Sequence, residues 1–464
     1  MLNEFCGSLV RVDASDNVIR NLDGVPTSVR EFKITNNHLS DLTSWGHLMN
    51  LQYVDVSNND IKSLSVFRDM VHLRGLVADN NNLTSLDGIL YHDGLQALRA
   101  RGNLIESVDF DATALQRLTE LDLEGNRITK LENLDQLGSL EVLNLKGNQL
   151  DDLQLDQAQP MTSLRRLTIT DNNFNSLDVR LMPSLKLLHA DRNCIARLTG
   201  LSKVRRLDSL SLREQRGPTA LDMSFLQSAY EVRKLFLSGN RLEAFDPRID
   251  FLSLQLLDLA NCGLQSLPED LGEMMPNLRA LNLNFNALTD INCLRCIPRL
   301  KRLLLAGNRL AHSLSVVEVM AEFPFLSEVD LRDNPITQGF YAPLQVLVHG
   351  DTADAVDLFR LPDADAERDA TYCNRLDLDT RIRRRLYEHV FVERCQWLKK
   401  LDGLRLRRDI CEVKDSIWKE LAARGLVLNK DGTRIDPTDY EGVEDPKENG
   451  TMEESRWHAE DSFA

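Results

Sequence analysis

From residue 9 to residue 336 the chain repeats one arrangement of apolar and polar positions, Leu-x-x-Leu-x-Leu-x-x-Asn-x-Leu, about every twenty-two residues. Leu118, Leu121, Leu123, Asn126, Ile128 and Leu131 carry it, and Leu140, Leu143, Leu145, Asn148, Leu150 and Leu153 repeat it. The Leu-x-Leu step has the period of a strand, which turns its leucines to one side and the intervening residues to the other. The second apolar pair, Ile128 and Leu131 in one unit, supports a return segment, and short helical or 3₁₀ turns suffice for that. A unit this short cannot bury its own apolar side, so neighbours must stack. The pattern predicts an α/β repeat solenoid: an arc with a parallel β concave face and returns on the convex side.

The ninth position of each unit falls at Asn17, Asn37, Asn59, Asn81, Asn103, Asn126, Asn148, Asn172, Asn193, Gln215, Asn240, Cys262, Asn286, Asn308 and Asn334, which makes fifteen units. A short side chain that both donates and accepts is wanted there, to satisfy backbone groups at a buried turn. Cysteine can stand in through its weak donor, whereas Gln215 fits poorly. The segment after it, Arg216-Gly217-Pro218-Thr219, has no apolar residue two positions on, and Gly-Pro marks an altered turn. That break reads as an insertion on the convex side or as a functional landmark.

A solenoid needs closed ends, because an open core and an unpaired sheet edge invite association. Residues 1–337 form the array. Residues 338–376 are an insertion whose Asp363-Ala364-Asp365-Ala366-Glu367 stretch suggests a surface loop. Residues 377–434 supply a C-terminal helical cap, in which Ile410, Val413, Ile417 and Leu421 give Asp409–Arg424 the spacing of an amphipathic helix stopped by Gly425. That helix docks back on the cap or stays free for a partner. From Ile435 to Ala464 there are ten acidic residues against two basic, the composition of a disordered acidic tail. Consensus begins at Leu9, leaving almost nothing before it to build a cap. Either the first turn caps itself with polar residues or the chain is the C-terminal part of something longer, and the second is the expectation.

The formal charge of −16, half of it in that tail, excludes free nucleic acid as a main partner, since phosphate binding needs a dominant positive surface. The eight cysteines show no flanking pairs of the kind that staple extracellular arrays, and no apolar run is long enough for a membrane span. There is no phosphate-cradling glycine loop, nucleophile elbow or paired-histidine helix, so neither an enzyme nor a cofactor is expected. Cys293 and Cys296 have CxxC spacing without a second pair, and read as structural thiols.

The side chains that can bind are those facing out of the concave strands. They include Arg99, Arg101, Arg166, His189, Arg192, Arg213 and Lys234, with acidic Glu120, Asp122 and Glu124 and with Lys146 between them. Phe236, Leu256, Phe285 and Leu304 are apolar residues at or beside outward positions. A basic band next to apolar side chains has the composition of a protein-binding patch, and its arginines could pair with phosphorylated or acidic segments. Charged residues on a strand face are equally what a solvated surface carries. A second basic run, Arg381, Arg383, Arg384 and Arg385 with Lys399, Lys400, Arg405, Arg407 and Arg408, lies on the cap, where a solvated helix face is the expectation.

Units of this kind resemble leucine-rich repeats, here an arc of about 15 units. More specific are Leu42-Thr43-Ser44-Trp45-Gly46-His47-Leu48 running into Asn50-Leu51-Gln52-Tyr53, then Leu73 to Asn81, and Tyr372-Cys373-Asn374-Arg375-Leu376. Over residues 9–425 these segments resemble the repeat domain of the fungal septation-initiation and mitotic-exit-network scaffold of the spindle pole body, a centriolin-related family. The resemblance implies a non-catalytic hub whose repeat domain anchors at the spindle pole, the microtubule-organising centre, through a protein that is possibly a coiled coil. It also implies that a long N-terminal part, which this chain lacks, recruits the mitotic-exit GTPase and Mob–NDR kinase components, so that pole anchoring carries over to this chain more safely than kinase binding. A second reading is a regulatory subunit that holds a phosphatase catalytic domain in its arc.

Overall fold

The computed structural model describes residues 7–295, 297–343, 359–411 and 413–426. Fifteen three-residue strands of the array, from Arg11–Asp13 to Glu328–Asp330, lie side by side in one parallel sheet. Equivalent leucines pair in register: Leu121 with Leu143, Leu143 with Leu167, Leu167 with Leu188, and Leu188 with Leu210. Each central leucine is buried while its two strand neighbours face outward. The core is therefore one continuous apolar column running from Leu22 to Leu401. The convex side returns through short 3₁₀ turns such as Leu64–Phe67, helices at Leu271–Met274 and Ser313–Ala321, and two small parallel strand pairs. The expected solenoid with a parallel concave face is what forms.

The asparagine at the ninth position does the expected work. In the unit of Asn193, Nδ2 donates to the carbonyls of Ile169, Ala190 and Asp191 at 2.9, 3.1 and 3.1 Å, and Oδ1 accepts from the Phe174 amide at 3.2 Å. Two successive units are thus tied by one side chain. Cys262 keeps the donor half, its thiol reaching the carbonyls of Leu237 and Ala260. Gln215 is better suited than its length suggested. Its Nε2 donates to Ala190 (2.9 Å) and Arg213 (3.2 Å), and its Oε1 accepts from Ile195 (2.9 Å). The extra methylene is absorbed because the glutamine is only half-buried and the turn after it is displaced. There the amide of Gln215 itself, where regular units use the residue two further on, donates to Asn240.

Two segments differ from the sequence expectation. The acidic stretch read as a surface loop starts a helix, Ala366–Asn374, because the Asp365 carboxylate accepts the amides of Glu367 and Arg368 and further acids occupy the first turn. The amphipathic helix is shorter than 409–424: it runs Ser416–Ala423, capped by Asp415 and ended by Gly425 at φ +68°. It does dock on the cap, with Ile417 and Leu421 against Ile382 and Leu386. The acidic tail 435–464 lies outside the described residues.

The long cap helix Leu378–Arg394 buries Tyr387 and Phe391 in the array core. Its cationic face is not simply solvated. Arg384 is buried, with its guanidinium on the Asp369 carboxylate (2.6 Å), Glu388 (3.0 Å) and the Phe340 carbonyl (2.8 Å), which pins helix Ala366–Asn374 and the end of the array together. Arg385 and Arg408 also spend donors on backbone carbonyls. Lys400–Leu401 then adds a sixteenth parallel strand beside Glu328–Asp330, and Leu404–Arg405 folds back antiparallel. At this last edge the Asp402 carboxylate accepts the Leu331 amide (2.6 Å), as a further strand's carbonyl would. It also accepts the hydroxyls of Tyr341 and Tyr387, both at 2.7 Å. Burial, then the nearby Asp330 charge, pushes its pKa up to about 7 against the pull of these donors.

Two outcomes follow. Asn193→Ala strands buried carbonyls and an amide, and should lower stability by about 1–3 kcal/mol, whereas Gln215→Ala, half-exposed, should cost less; urea midpoints by circular dichroism compare them. Asp402 binds its proton more tightly folded than unfolded, so its contribution is complete below about pH 4 and is lost as pH rises through about 7. The melting temperature of Asp402→Asn relative to wild type should therefore climb between pH 5 and pH 8; a constant offset would refute this.

Candidate protein-interaction surface

The register arranges the outward residues in columns, each a neighbour of its counterpart one unit away. Near the N-terminal end, Tyr53, Gly75 and Ala97 follow one another in one column. Small residues beside Tyr53 leave a shallow concavity of about 540 Å³ that Val12, Phe32 and Arg99 help to line. A Cβ on Gly75 would sit 2.8 Å from the Tyr53 ring, so the tyrosine lies flat across the glycine. The ring stays 45% exposed. Sequence reasoning missed this hollow, although its signal was present: two small outward residues in successive units after an aromatic one.

The basic band is largely paired. Arg99 Nε reaches Asp79 at 2.6 Å, and Arg101 Nε reaches Asp122 at 2.8 Å with Glu124 at 3.7 Å. Lys146 holds Glu124 at 3.2 Å. Arg192 grips both oxygens of Asp171, at 2.6 and 2.5 Å. Arg213 pairs with Asp258 at 2.9 Å while its guanidinium carbon lies 4.5 Å above the centre of the Phe236 ring. Partly exposed pairs of this kind contribute about 0–1 kcal/mol each to stability, but they neutralise the charge a partner would meet. Arg166 and Lys234 differ: both are exposed and neither makes an ion pair among the described residues. Their column neighbours are Val142, Leu187, Ser209 and Leu256, none of them charged.

Along one column Leu187 follows Arg166 and Leu256 follows Lys234, with His189 and Phe236 in the adjoining column; all four apolar or aromatic side chains are half-buried. Leu187 was not among the expected residues; it is the strand partner of Arg166 and belongs with them. Burial depresses the His189 pKa below its ordinary value against the pull of Asp191, with the Arg166 and Arg213 charges adding to the depression. The imidazole is therefore neutral at pH 7 and part of the apolar patch.

Three expected residues lie elsewhere. Arg192 and Phe285 occupy the left-handed turn before the ladder asparagine, at φ +52° and +58°, where other units place Gly125, Gly147 and Gly307. They border the face and do not project from its strands. Leu304 does face inward to the arc, but it is only 5% exposed. It lies on a stretch of the face that the chain itself crosses with residues 359–364. No group of His, Cys, Asp or Glu among the described residues could hold a metal, and no described helix is long and apolar enough to cross a membrane. Cys293 is half-buried, and burial pushes its pKa up to about 11; its CxxC companion Cys296 lies outside the described residues.

A ladder of buried asparagines, a parallel concave sheet and a helical cap define a leucine-rich-repeat protein, and residues 93–150 and 253–310 match the leucine rich repeat family. The chain is related to a particular member: over 413 residues, 87% of its length, it is 34% identical to the septation initiation network scaffold protein cdc11 of Schizosaccharomyces pombe. The resemblance to that scaffold family is thus borne out across array and cap. The chain spans 39% of that relative's length. Podocan of Mus musculus is 28% identical over 47% of this chain and 33% of its own. Among solved structures, a leucine-rich-repeat protein of Leptospira interrogans superposes with a TM-score of 0.59 at 21% identity, covering 72% of this chain and 92% of that one. An internalin of Listeria monocytogenes gives 0.51 at 18%, covering 70% and 87%. These two share the fold.

Proposed function

We propose that the chain is a non-catalytic scaffold domain that docks protein partners on its concave face and so assembles or anchors septation and mitotic-exit signalling components at the spindle pole body. The observation that carries this is the relationship to the septation scaffold, which covers 87% of the chain. The contact region is the patch of Leu187, His189, Phe236 and Leu256 with the interspersed Arg166 and Lys234, which make no ion pair among the described residues. Apolar and aromatic side chains beside cations are what binding hot spots are built from. A helical or coiled-coil anchor that carries acidic residues beside an apolar stripe complements this mixture of apolar and cationic side chains. The GTPase and Mob–NDR kinase components of the pathway belong to the rest of the scaffold in this reading.

The ion pairs decide how to test it. Reversing Arg99, Arg101, Arg192 or Arg213 would leave Asp79, Asp122, Asp171 or Asp258 facing a like charge, so lost recruitment would be confounded with a strained face. Arg166→Glu and Lys234→Glu disturb no ion pair among the described residues, and Phe236→Ala removes the ring beneath the Arg213 guanidinium while leaving its pair with Asp258 in place. The triple variant should melt within a few degrees of wild type and should lose at least about tenfold in pole recruitment, read as fluorescence of the tagged chain in dividing cells. Undiminished recruitment in a folded triple variant would move the contact away from this patch.

A further inference from the structure

The C-terminal end of the concave face is already occupied. Phe359, Arg360, Leu361, Pro362, Asp363 and Ala364 run along it, crossing the units of Gly239, Asn284, Glu328 and Arg332 to reach the cap at Gly403. The Phe359 carbonyl accepts from Asn284 Nδ2 at 3.0 Å and Asn282 Nδ2 at 3.3 Å. Neither asparagine belongs to the ladder; both stand at outward positions, buried, with their donors aimed at this one main-chain oxygen. Against Gly239, whose turn at φ +75° calls for glycine, the ring of Phe359 fills the space a Cβ would take, 2.8 Å from Cζ. Arg360 reaches Glu328 at 3.1 Å, and the Pro362 carbonyl accepts from Arg332 at 3.1 Å. The Arg332 guanidinium is itself clamped on Asp330. Phe359 and Leu361 are buried, yet neither joins the continuous core of the array.

We propose that this stretch of the face is a docking groove for an extended peptide of the form Phe-Arg-x-Pro, and that residues 359–364 are its displaceable resident. The contacts are those of peptide recognition: two main-chain carbonyls held by side-chain donors, one aromatic pocket, one cation on a carboxylate. The partner is a protein segment carrying the same aromatic and basic pair, and it competes with the resident for Asn282, Asn284, Gly239 and Glu328. The inference concerns the C-terminal end of the face and stands whether or not the patch around Phe236 recruits the pole. It also accounts for the burial of Leu304, which lies between the units of Asn282 and Asp330.

A resident tethered in the same chain acts at an effective concentration on the order of 1 mM. Against a peptide of intrinsic Kd ~100 µM it would weaken apparent affinity roughly tenfold. The test is fluorescence anisotropy of a labelled peptide of residues 359–365, titrated with the full chain and with its Phe359→Ala/Leu361→Ala variant. The peptide should bind the variant about tenfold more tightly than wild type, and a peptide with alanine for phenylalanine should bind neither. Equal binding to both chains, or binding to neither, overturns the proposal. Collapse of the variant's circular-dichroism melt overturns it too, since the segment would then be a strut of the fold. Persistence of the cooperative melt with the affinity gain is the result that supports a groove.

Discussion

One amide side chain per turn holds this molecule in register. A leucine-lined coil of about twenty-two residues has no second layer of its own, so its apolar side is covered only when another coil stacks upon it. Stacking brings the turn backbones together away from water, where each unpaired amide or carbonyl costs about 1–3 kcal/mol. Asn148 shows the solution: Nδ2 donates to Leu123 of the unit before and Leu145 of its own, and Oδ1 accepts from Ile128. The inward residues therefore carry the fold almost entirely. The outward ones are released from that duty, and it is there that composition varies from unit to unit.

Such a device has no natural end, and the cap can be understood as the answer to its last open edge. Glu328 and Val329 of the final array strand find Lys400 and Leu401 alongside them, but Leu331 has no further strand to donate to. A carboxylate, Asp402, takes that amide and two tyrosine hydroxyls at once. Tyr341 and Tyr387 remain protonated because burial, then the Asp402 charge, holds their pKa well above the usual range. Sheet, helix and insertion thus meet at one buried oxygen pair. Arg384 does the same for the two helices at the neighbouring corner.

How much of this was legible depended on sequence distance. The solenoid, the strand positions and the ladder could be read because every partner lies one period away, a separation the repeat itself displays. Cys262 was legible by its chemistry, while Gln215 was misjudged because side-chain length was weighed without the slack in the displaced turn. Ion pairs such as Arg101 with Asp122 were readable in principle, being 21 residues apart at adjoining outward positions. A basic band is what composition alone displays; the pairing shows only when each outward residue is matched with its counterpart one unit away. Nothing in the periodicity foretold that Phe359 would lie on Asn282 and Asn284, 77 and 75 residues away. An insertion has no register, and its path is decided by tertiary contacts alone.

That asymmetry suggests where function on a repeat surface is to be sought. Neighbouring columns place opposite charges within reach of one another, so a charge with a complementary neighbour is largely satisfied by its own fold. Arg99, Arg101, Arg192 and Arg213 are in that state, and the potential they present is that of a salt-bridged surface, screened further by the ions of the medium. Arg166 and Lys234 have apolar or hydroxyl neighbours in their column and make no ion pair among the described residues. Asn282 and Asn284, likewise, are donors that no adjoining outward side chain satisfies, and the chain's own Phe359 carbonyl answers them. In both places the informative residue is the one its column fails to satisfy. A partner is selected by what the array leaves unpaired, and the repeat, by satisfying nearly everything else, makes those few positions stand out.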